Sequence, residues 1–332
     1  MNGKPKVAIA CQGGGSHAAF AAGMLRELLS PSYRERFELV ALSGTSGGAI
    51  CASLAWAGLV AGSAEDARRR LLDFWQDLKA DDPMDAVLNY WAVALARLPV
   101  AAEISPYSYG PVAEPKLREL LARHLNLESL PDAAARGPHP RLLLGATEIL
   151  SGDRTIFNDD GMTYDMVVAS AAVPPLFRAI TIGEHRYWDG LFASNPPIRV
   201  LTDPDIRPAE IWVIQINPQQ RLTEPQTVQD INDRRNELAG NLSLAQELFF
   251  IHKINEIIAD DDSVTRKKGY EPIQLRVMEL GMTDLDYPSK LDRSPAFIDS
   301  LMKDGAARAG QFFEPSSIWP RDGSLPAKSA RG

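Results

Sequence analysis

Twice before residue 60 the chain repeats one order: a short apolar run, a cluster of glycines, then a long apolar segment. "PKVAIAC" (5–11) leads into Gly13-Gly14-Gly15 and "HAAFAAGMLRELL". "FELVALS" (37–43) leads into Gly44-Thr45-Ser46-Gly47-Gly48 and "GGAICASLAWAGL". Short apolar runs bounded by turn residues read as buried strands, and the longer segments as helices. Two strand–turn–helix units in succession predict an α/β fold, a mainly parallel sheet held between helices in three layers.

The rest of the chain extends that pattern. Ser63 with Asp66 three residues on reads as a helix cap. Helices are expected over 84–98 and 115–125, with a loop at "DAAARGPHP" (132–140). "RLLLGATEIL" (141–150) reads as a strand turning through Ser151-Gly152-Asp153. "YDMVVASAA" reads as a helix, and "AITIGEHRYWDG" as two strands around Gly183-Glu184. "EIWVIQI" (210–216) is a further buried strand. Two helices are expected up to Asp260-Asp261-Asp262, then a strand at "IQLRVMEL" and a last helix over 295–313. The expected organisation is an α/β domain over 5–218, helical C-terminal additions over 219–313 packed on the same domain, and a disordered tail over 314–332.

Composition narrows the function classes. The 332 residues are 45% hydrophobic and 23% charged, as in a globular chain with a sizeable core. A net charge of −8 argues against a broad basic surface, so no nucleic-acid partner is expected. The apolar run at the N-terminus is too short for a signal peptide. The longest apolar candidate for a membrane span, "YWAVALARLPVAA" (90–102), is broken by Arg97 and Pro99. Cys11 and Cys51 are the only cysteines, which suggests reduced thiols in the cytoplasm. The acidic run at 260–262 lacks the Gly and Glu of an EF-hand loop. Neither a metal nor a cofactor is expected.

Gly44-Thr45-Ser46-Gly47-Gly48 fits G-x-S-x-G, which places a serine on a tight turn as a nucleophile. A serine hydroxyl needs a base for its proton and donors for the developing oxyanion. Gly13-Gly14-Gly15-Ser16-His17-Ala18 has two readings. It matches a dinucleotide fingerprint, which also wants an acid near the end of the second strand. That strand ends in Leu42-Ser43-Gly44, and Glu38 lies at its wrong end. The other reading is an oxyanion hole of backbone N–H groups at a helix start. A parallel sheet brings that loop and Ser46 to one crevice.

The histidines are His17, His124, His139, His185 and His252, and none stands in the context of a general base. Asp189-Gly190, at the end of the aromatic run "YWDG", is the alternative. Taken alone an Asp-Gly pair is ordinarily a turn, but a partly desolvated carboxylate there is a stronger base.

In order, "CQGGGSHAAFAAGML", "LSGTSGGAI", "ASAAVPPLF", "YWDGLFASNPPI" and "EIWVIQINPQ" resemble the patatin-like phospholipase family, in its bacterial branch. The resemblance spans roughly residues 5 to 218, and each motif is weak alone and specific jointly. It implies a lipid acyl-ester hydrolase with a Ser–Asp dyad and an acyl-enzyme intermediate. Residue by residue, it implies Ser46 as nucleophile and Asp189 as general base. It implies an oxyanion hole at Gly13, Gly14, Gly15 and Gly47, with Gly44, Gly48 and Gly190 as motif glycines. Gly13 would shape the loop, the others donate. The chain departs from the family at His17, where Arg or Lys is usual, at Ala18, where Gly is usual, and at Leu191, where Gly or Ala follows the Asp-Gly pair.

Three rival functions belong beside this one: a short-chain or polyester esterase, a non-catalytic lipid-binding protein on the same fold, and a dinucleotide-dependent oxidoreductase. The helix at 84–98 carries Val87, Tyr90, Trp91, Ala94, Leu95 and Leu98 on one face. Such a stripe ordinarily packs on the core. The other reading, with the segment continuing to "ISPYSYG", is a cover over the acyl pocket that touches lipid aggregates or a membrane surface.

Overall fold

A computed structural model describes residues 3–320 apart from 98–104, 109, 111–112, 132–136, 175, 261–270 and 283–284. In chain order the elements are β1 (Lys6–Cys11), α1 (Ala19–Leu28), α2 (Pro31–Arg34), β2 (Glu38–Gly44), α3 (Gly47–Ala61), α4 (Ala64–Leu78), α5 (Pro83–Ala96) and α6 (Ala113–His124). They continue with β3 (Arg141–Glu148), β4 (Arg154–Asn158), α7 (Tyr164–Ser170), β5 (Ile180–Ile182), β6 (His185–Asp189), β7 (Glu210–Gln215) and α8 (Val228–Asp260). Last come β8 (Gln274–Glu279), α9 (Pro295–Arg308) and β9 (Ile318–Trp319). The expected cap is present: Ser63 Oγ accepts the Asp66 N–H at 3.0 Å.

One sheet runs β5-β6-β3-β2-β1-β7-β8-β9, with β4 also paired to β3. The central strands β3, β2, β1, β7 and β8 are mutually parallel, and β4, β5, β6 and β9 add antiparallel pairs at the flanks. Strand alternation builds the two faces. Val7, Ile9 and Cys11 of β1, with Trp212 and Ile214 of β7, pack toward Phe20 of α1, Ile50 of α3, Phe74 of α4 and Leu301 of α9. Ala8 and Ala10 of β1, with Ile211 and Val213 of β7, face Leu244, Leu248 and Ile251 of α8. This is the expected three-layer α/β arrangement.

Two expectations change. The two helices before Asp260 are one helix of 33 residues, α8. The helix runs unbroken through Gly240, where a Cβ would lie 2.6 Å from Asn217 Nδ2. The glycine serves a close approach instead of a bend. The late strand expected at "IQLRVMEL" is β8, which extends the main sheet beside β7. The tail expected to be disordered from 314 is ordered at its start, where Ile318–Trp319 pairs with β8. Residues 321–332 lie outside the described residues. Most of the loop at 132–140 and two of the three aspartates at 260–262 do so as well. Among the described residues, no helix is long and apolar enough to cross a membrane and no acidic or histidine cluster could hold a metal ion.

Candidate active site

The site is built on one edge of β3. Leu143 and Leu144 of β3 pair with β2 and also with β4, so those two strands lie on opposite edges. Ala146 and Thr147 pair with β4 and also with β6, so β6 shares its edge with β2. β2 ends at Gly44 opposite Leu144, and β6 ends at Asp189 opposite Ala146. The two strand ends therefore meet head-on, with only Gly145 between them. A Cβ on Gly145 would lie 2.7 Å from Thr45 Oγ1, so the small residue makes room for both turns.

Ser46 lies just past the end of β2 and caps α3, with φ 57° and ψ −131°. A positive φ in a residue with a Cβ is strained backbone, and such strain concentrates at functional turns. The surroundings enforce it. A Cβ on Gly44 would lie 2.5 Å from Gly48 O, and one on Gly48 would lie 2.2 Å from Cys11 O. The Ser46 N–H donates to Ser170 O at 2.9 Å, and Thr45 Oγ1 donates to Ser194 O at 2.6 Å. Ser46 also stands at the positive end of α3.

The loop after β1 approaches the same point. Gly13 N–H donates to Asn195 Oδ1 at 2.8 Å, so this N–H is occupied in shaping the loop. Among the described residues no acceptor meets the N–H groups of Gly14, Gly15 or Gly47. Gly47 packs against the loop closely enough that a Cβ on it would lie 2.8 Å from Gly15 O. His17 is buried, its Nε2 2.8 Å from Ser289 Oγ. Burial, with help from the charge of Lys290, pushes it down to about 3, so it is neutral at ordinary pH.

Asp189 is fully buried. Its N–H donates to Ala172 O at 3.1 Å, and its carbonyl accepts from Thr147 Oγ1 at 3.0 Å. Oδ1 accepts the Leu191 N–H at 2.8 Å. Leu191 serves here through its backbone, so the unusual side chain leaves the contact intact. Oδ2 is buried with no hydrogen bond of ordinary geometry. Burial pushes the carboxyl up to about 7, against opposing contributions from the Leu191 N–H, the Ser46 side chain and the Lys290 charge.

No histidine hydrogen-bonds to Ser46 or Asp189. His124 bonds to Asp77, His139 to Asp159 and His17 to Ser289, while His252 lies edge-on to Trp319 and His185 near Tyr187.

Sequence reasoning missed the polar frame behind the loop. Gln12 Oε1 accepts the N–H groups of Ile216 and Asn217, each at 2.8 Å, and its Nε2 donates to Asn241 Oδ1 at 2.9 Å. Glu247 accepts the Ile198 and Arg199 N–H groups and pairs with Arg154. Lys290 Nζ donates to Asn217 Oδ1 at 2.7 Å. Gln12 stands inside a quoted motif, so its position was visible. Asn241, Glu247 and Lys290 lie 195 or more residues beyond Ser46, with no local pattern to mark them.

The stripe on α5 does not pack on the core. Val87, Tyr90, Trp91 and Leu95 are exposed, Trp91 at 56%, while Asn89 and Val93 are buried. Leu98 lies outside the described residues. The helix is held by polar contacts: Asn89 Nδ2 donates to Asp292 Oδ1, Arg293 pairs with Asp85, and Arg97 pairs with Asp286. It rests on the 288–291 turn, which rests in turn on the residues following the glycine loop. A shallow surface depression lined by Met278, Leu280, Arg308 and Gln311 lies elsewhere, and none of its lining residues belongs to this site.

A family model described as patatin-like phospholipase matches residues 9–202, more than half of the chain. The chain belongs to the patatin-like phospholipase family. No curated protein matches it. Among solved structures it is similar to VipD from Legionella pneumophila, with a TM-score of 0.46 and 14% identity over 95% of this chain and 68% of that one. It is also similar to ExoU in the ExoU–SpcU complex of Pseudomonas aeruginosa, with a TM-score of 0.39 and 12% identity over 95% of this chain. It spans about half of that ExoU chain.

Proposed function

We propose that this protein is a serine acyl hydrolase of lipid carboxylic esters, of phospholipase A, lysophospholipase or esterase type, with a Ser46–Asp189 dyad. The observation that carries the reading is the buried Asp189 Oδ2, lacking a hydrogen-bond partner of ordinary geometry beside a strained serine. Desolvation makes this carboxylate a stronger base than an exposed one. Asp189 takes the proton of Ser46 Oγ as Oγ bonds to the ester carbonyl carbon. The carbonyl oxygen becomes an oxyanion, met by the N–H groups of Gly14, Gly15 and Gly47. As the intermediate collapses, Asp189 returns the proton to the leaving alcohol or lysolipid. A water then gives a proton to Asp189 as it attacks the acyl carbonyl carbon, and collapse releases the fatty acid while Asp189 returns that proton to Ser46 Oγ, restoring the serine and the carboxylate.

The exposed apolar face of α5 favours lipid aggregates over soluble short-chain esters, which need no such surface. Strain retained at Ser46 weighs against a protein that only binds lipid, since a binding site gains nothing from a strained nucleophile. A fluorophosphonate probe tests the reading. Covalent label is expected on Ser46, with loss of label and of acyl-ester hydrolysis in Ser46→Ala. Label on another serine, with Ser46→Ala fully active, would sink it.

A further inference from the structure

The helix α8 has two apolar faces, and only one is covered. Leu244, Leu248 and Ile251 pack on the sheet. On the opposite side Ile231, Leu238, Leu242 and Phe249 are exposed, Leu242 at 60%. Arg235 and Ala245, between them, are exposed as well. Together these six positions follow one another at alternating steps of four and three residues. That spacing is the seam along which one helix lies beside another.

The charges at its ends select the partner. Arg235, Leu242, Phe249 and Glu256 occupy one heptad position in that order, basic at one end, acidic at the other and apolar between. Parallel copies would set Arg235 against Arg235 and Glu256 against Glu256. Antiparallel copies set Arg235 beside the partner's Glu256 and Leu242 beside the partner's Phe249, and two-fold symmetry repeats both contacts. Among the described residues Arg235 has no ion pair of its own. Glu256 meets Lys253 on its own helix, an exposed contact worth little, and a carboxylate has room for a second cation. A helix of 33 residues is about 50 Å long and about 10 Å wide. Pairing along it covers roughly 500 Å² on each copy and roughly 1,000 Å² in all, where specific interfaces begin.

Other occupants fit less well. α8 carries six acidic residues against three basic ones, a balance that an anionic lipid surface repels. Of the stretches outside the described residues, 261–270 and 321–332 are polar. The others have seven residues or fewer and reach at most about 25 Å, short of the seam.

We propose that the outer seam of α8 is a self-association surface, occupied by the same seam of a second copy of this chain lying antiparallel. The inference is independent of the Ser46–Asp189 reading. An interface of this size belongs to the weaker class, so association depends on concentration.

Sedimentation of the full chain from about 1 to about 100 µM tests it, with melting temperatures recorded at the lowest concentration. The wild type is expected to move from the 36.4 kDa of one chain toward twice that mass. Leu242→Asp is expected to weaken association roughly tenfold or more, with little change in melting temperature, because the side chain it replaces is exposed. Arg235→Glu and Glu256→Arg should each weaken association several-fold, and the double variant Arg235→Glu/Glu256→Arg should restore it. Parallel pairing would instead leave the single variants unchanged. A wild type that stays monomeric over the whole range overturns the inference, as does a dimer that Leu242→Asp leaves intact. If Leu242→Asp does not fold, the charge variants decide alone, and a double variant no better than the single ones overturns antiparallel pairing. A monomeric wild type that co-sediments with phosphatidylcholine vesicles, with binding lost in Leu242→Asp, would make the seam a lipid contact and also overturn it.

Discussion

At Asp189, burial that would suit the proposed general base works against folding. Its carboxyl is raised to about 7 in the folded chain, while an unfolded aspartate titrates near 4. The native state therefore holds this proton more tightly than the unfolded state. Stability from this group is full below pH ~4 and declines as pH rises to about 7, where the carboxylate stands ionised in a dry site. Asp189→Asn removes that charge without changing shape. We expect it to lower kcat/KM by on the order of 10² or more. We also expect it to melt above wild type at pH 8 and level with it near pH 4. Calorimetry at the two pH values checks this, and an equal difference at both contradicts the raised carboxyl.

At the level of elements, α5 is the clearest case of a helix that was legible and a face that was not. Asp82 and Pro83 start the helix as an N-cap and first-turn proline should, and Asp82 Oδ1 accepts the Met84 and Asp85 N–H groups. Its apolar spacing was equally plain. What decided the outward orientation was Asn89, whose amide bonds Asp292 and the Arg293 N–H 203 and 204 residues away. The serine elbow and the glycine loop could be read because backbone strain restricts residue type locally. Lys290 and the polar face of α8 could not, since they acquire meaning only from partners brought in by the fold. The exposed face of α5 yields its own test. Trp91→Ala should reduce hydrolysis of aggregated long-chain lipid several-fold more than hydrolysis of a soluble short-chain ester, with little change in melting temperature, as expected of an interfacial side chain. An equal loss on both substrates with a large drop in melting temperature would place Trp91 in the packing instead.

Across the whole molecule, the C-terminal third completes the fold. α9 crosses α1 at backbone contact: a Cβ on Gly23 would lie 2.0 Å from Met302 O, and one on Gly305 2.0 Å from Phe20 O. α8 covers the second face of the sheet, and β8 covers the edge of β7. A chain ending at residue 218 is therefore expected to lose cooperative thermal unfolding by circular dichroism, although it contains Ser46 and Asp189. A sharp two-state melt in that fragment would show the extension to be dispensable. The meeting of β2 and β6 on one edge of β3 has a further meaning. Ser46 and Asp189 are spaced by the pitch of a single shared strand, as two marks on one ruler. Movements of the surrounding helices carry both marks together and leave the interval between them unchanged. A one-residue insertion at Gly145, by contrast, would reset the scale itself, shifting the mark for Asp189 while leaving that for Ser46 in place.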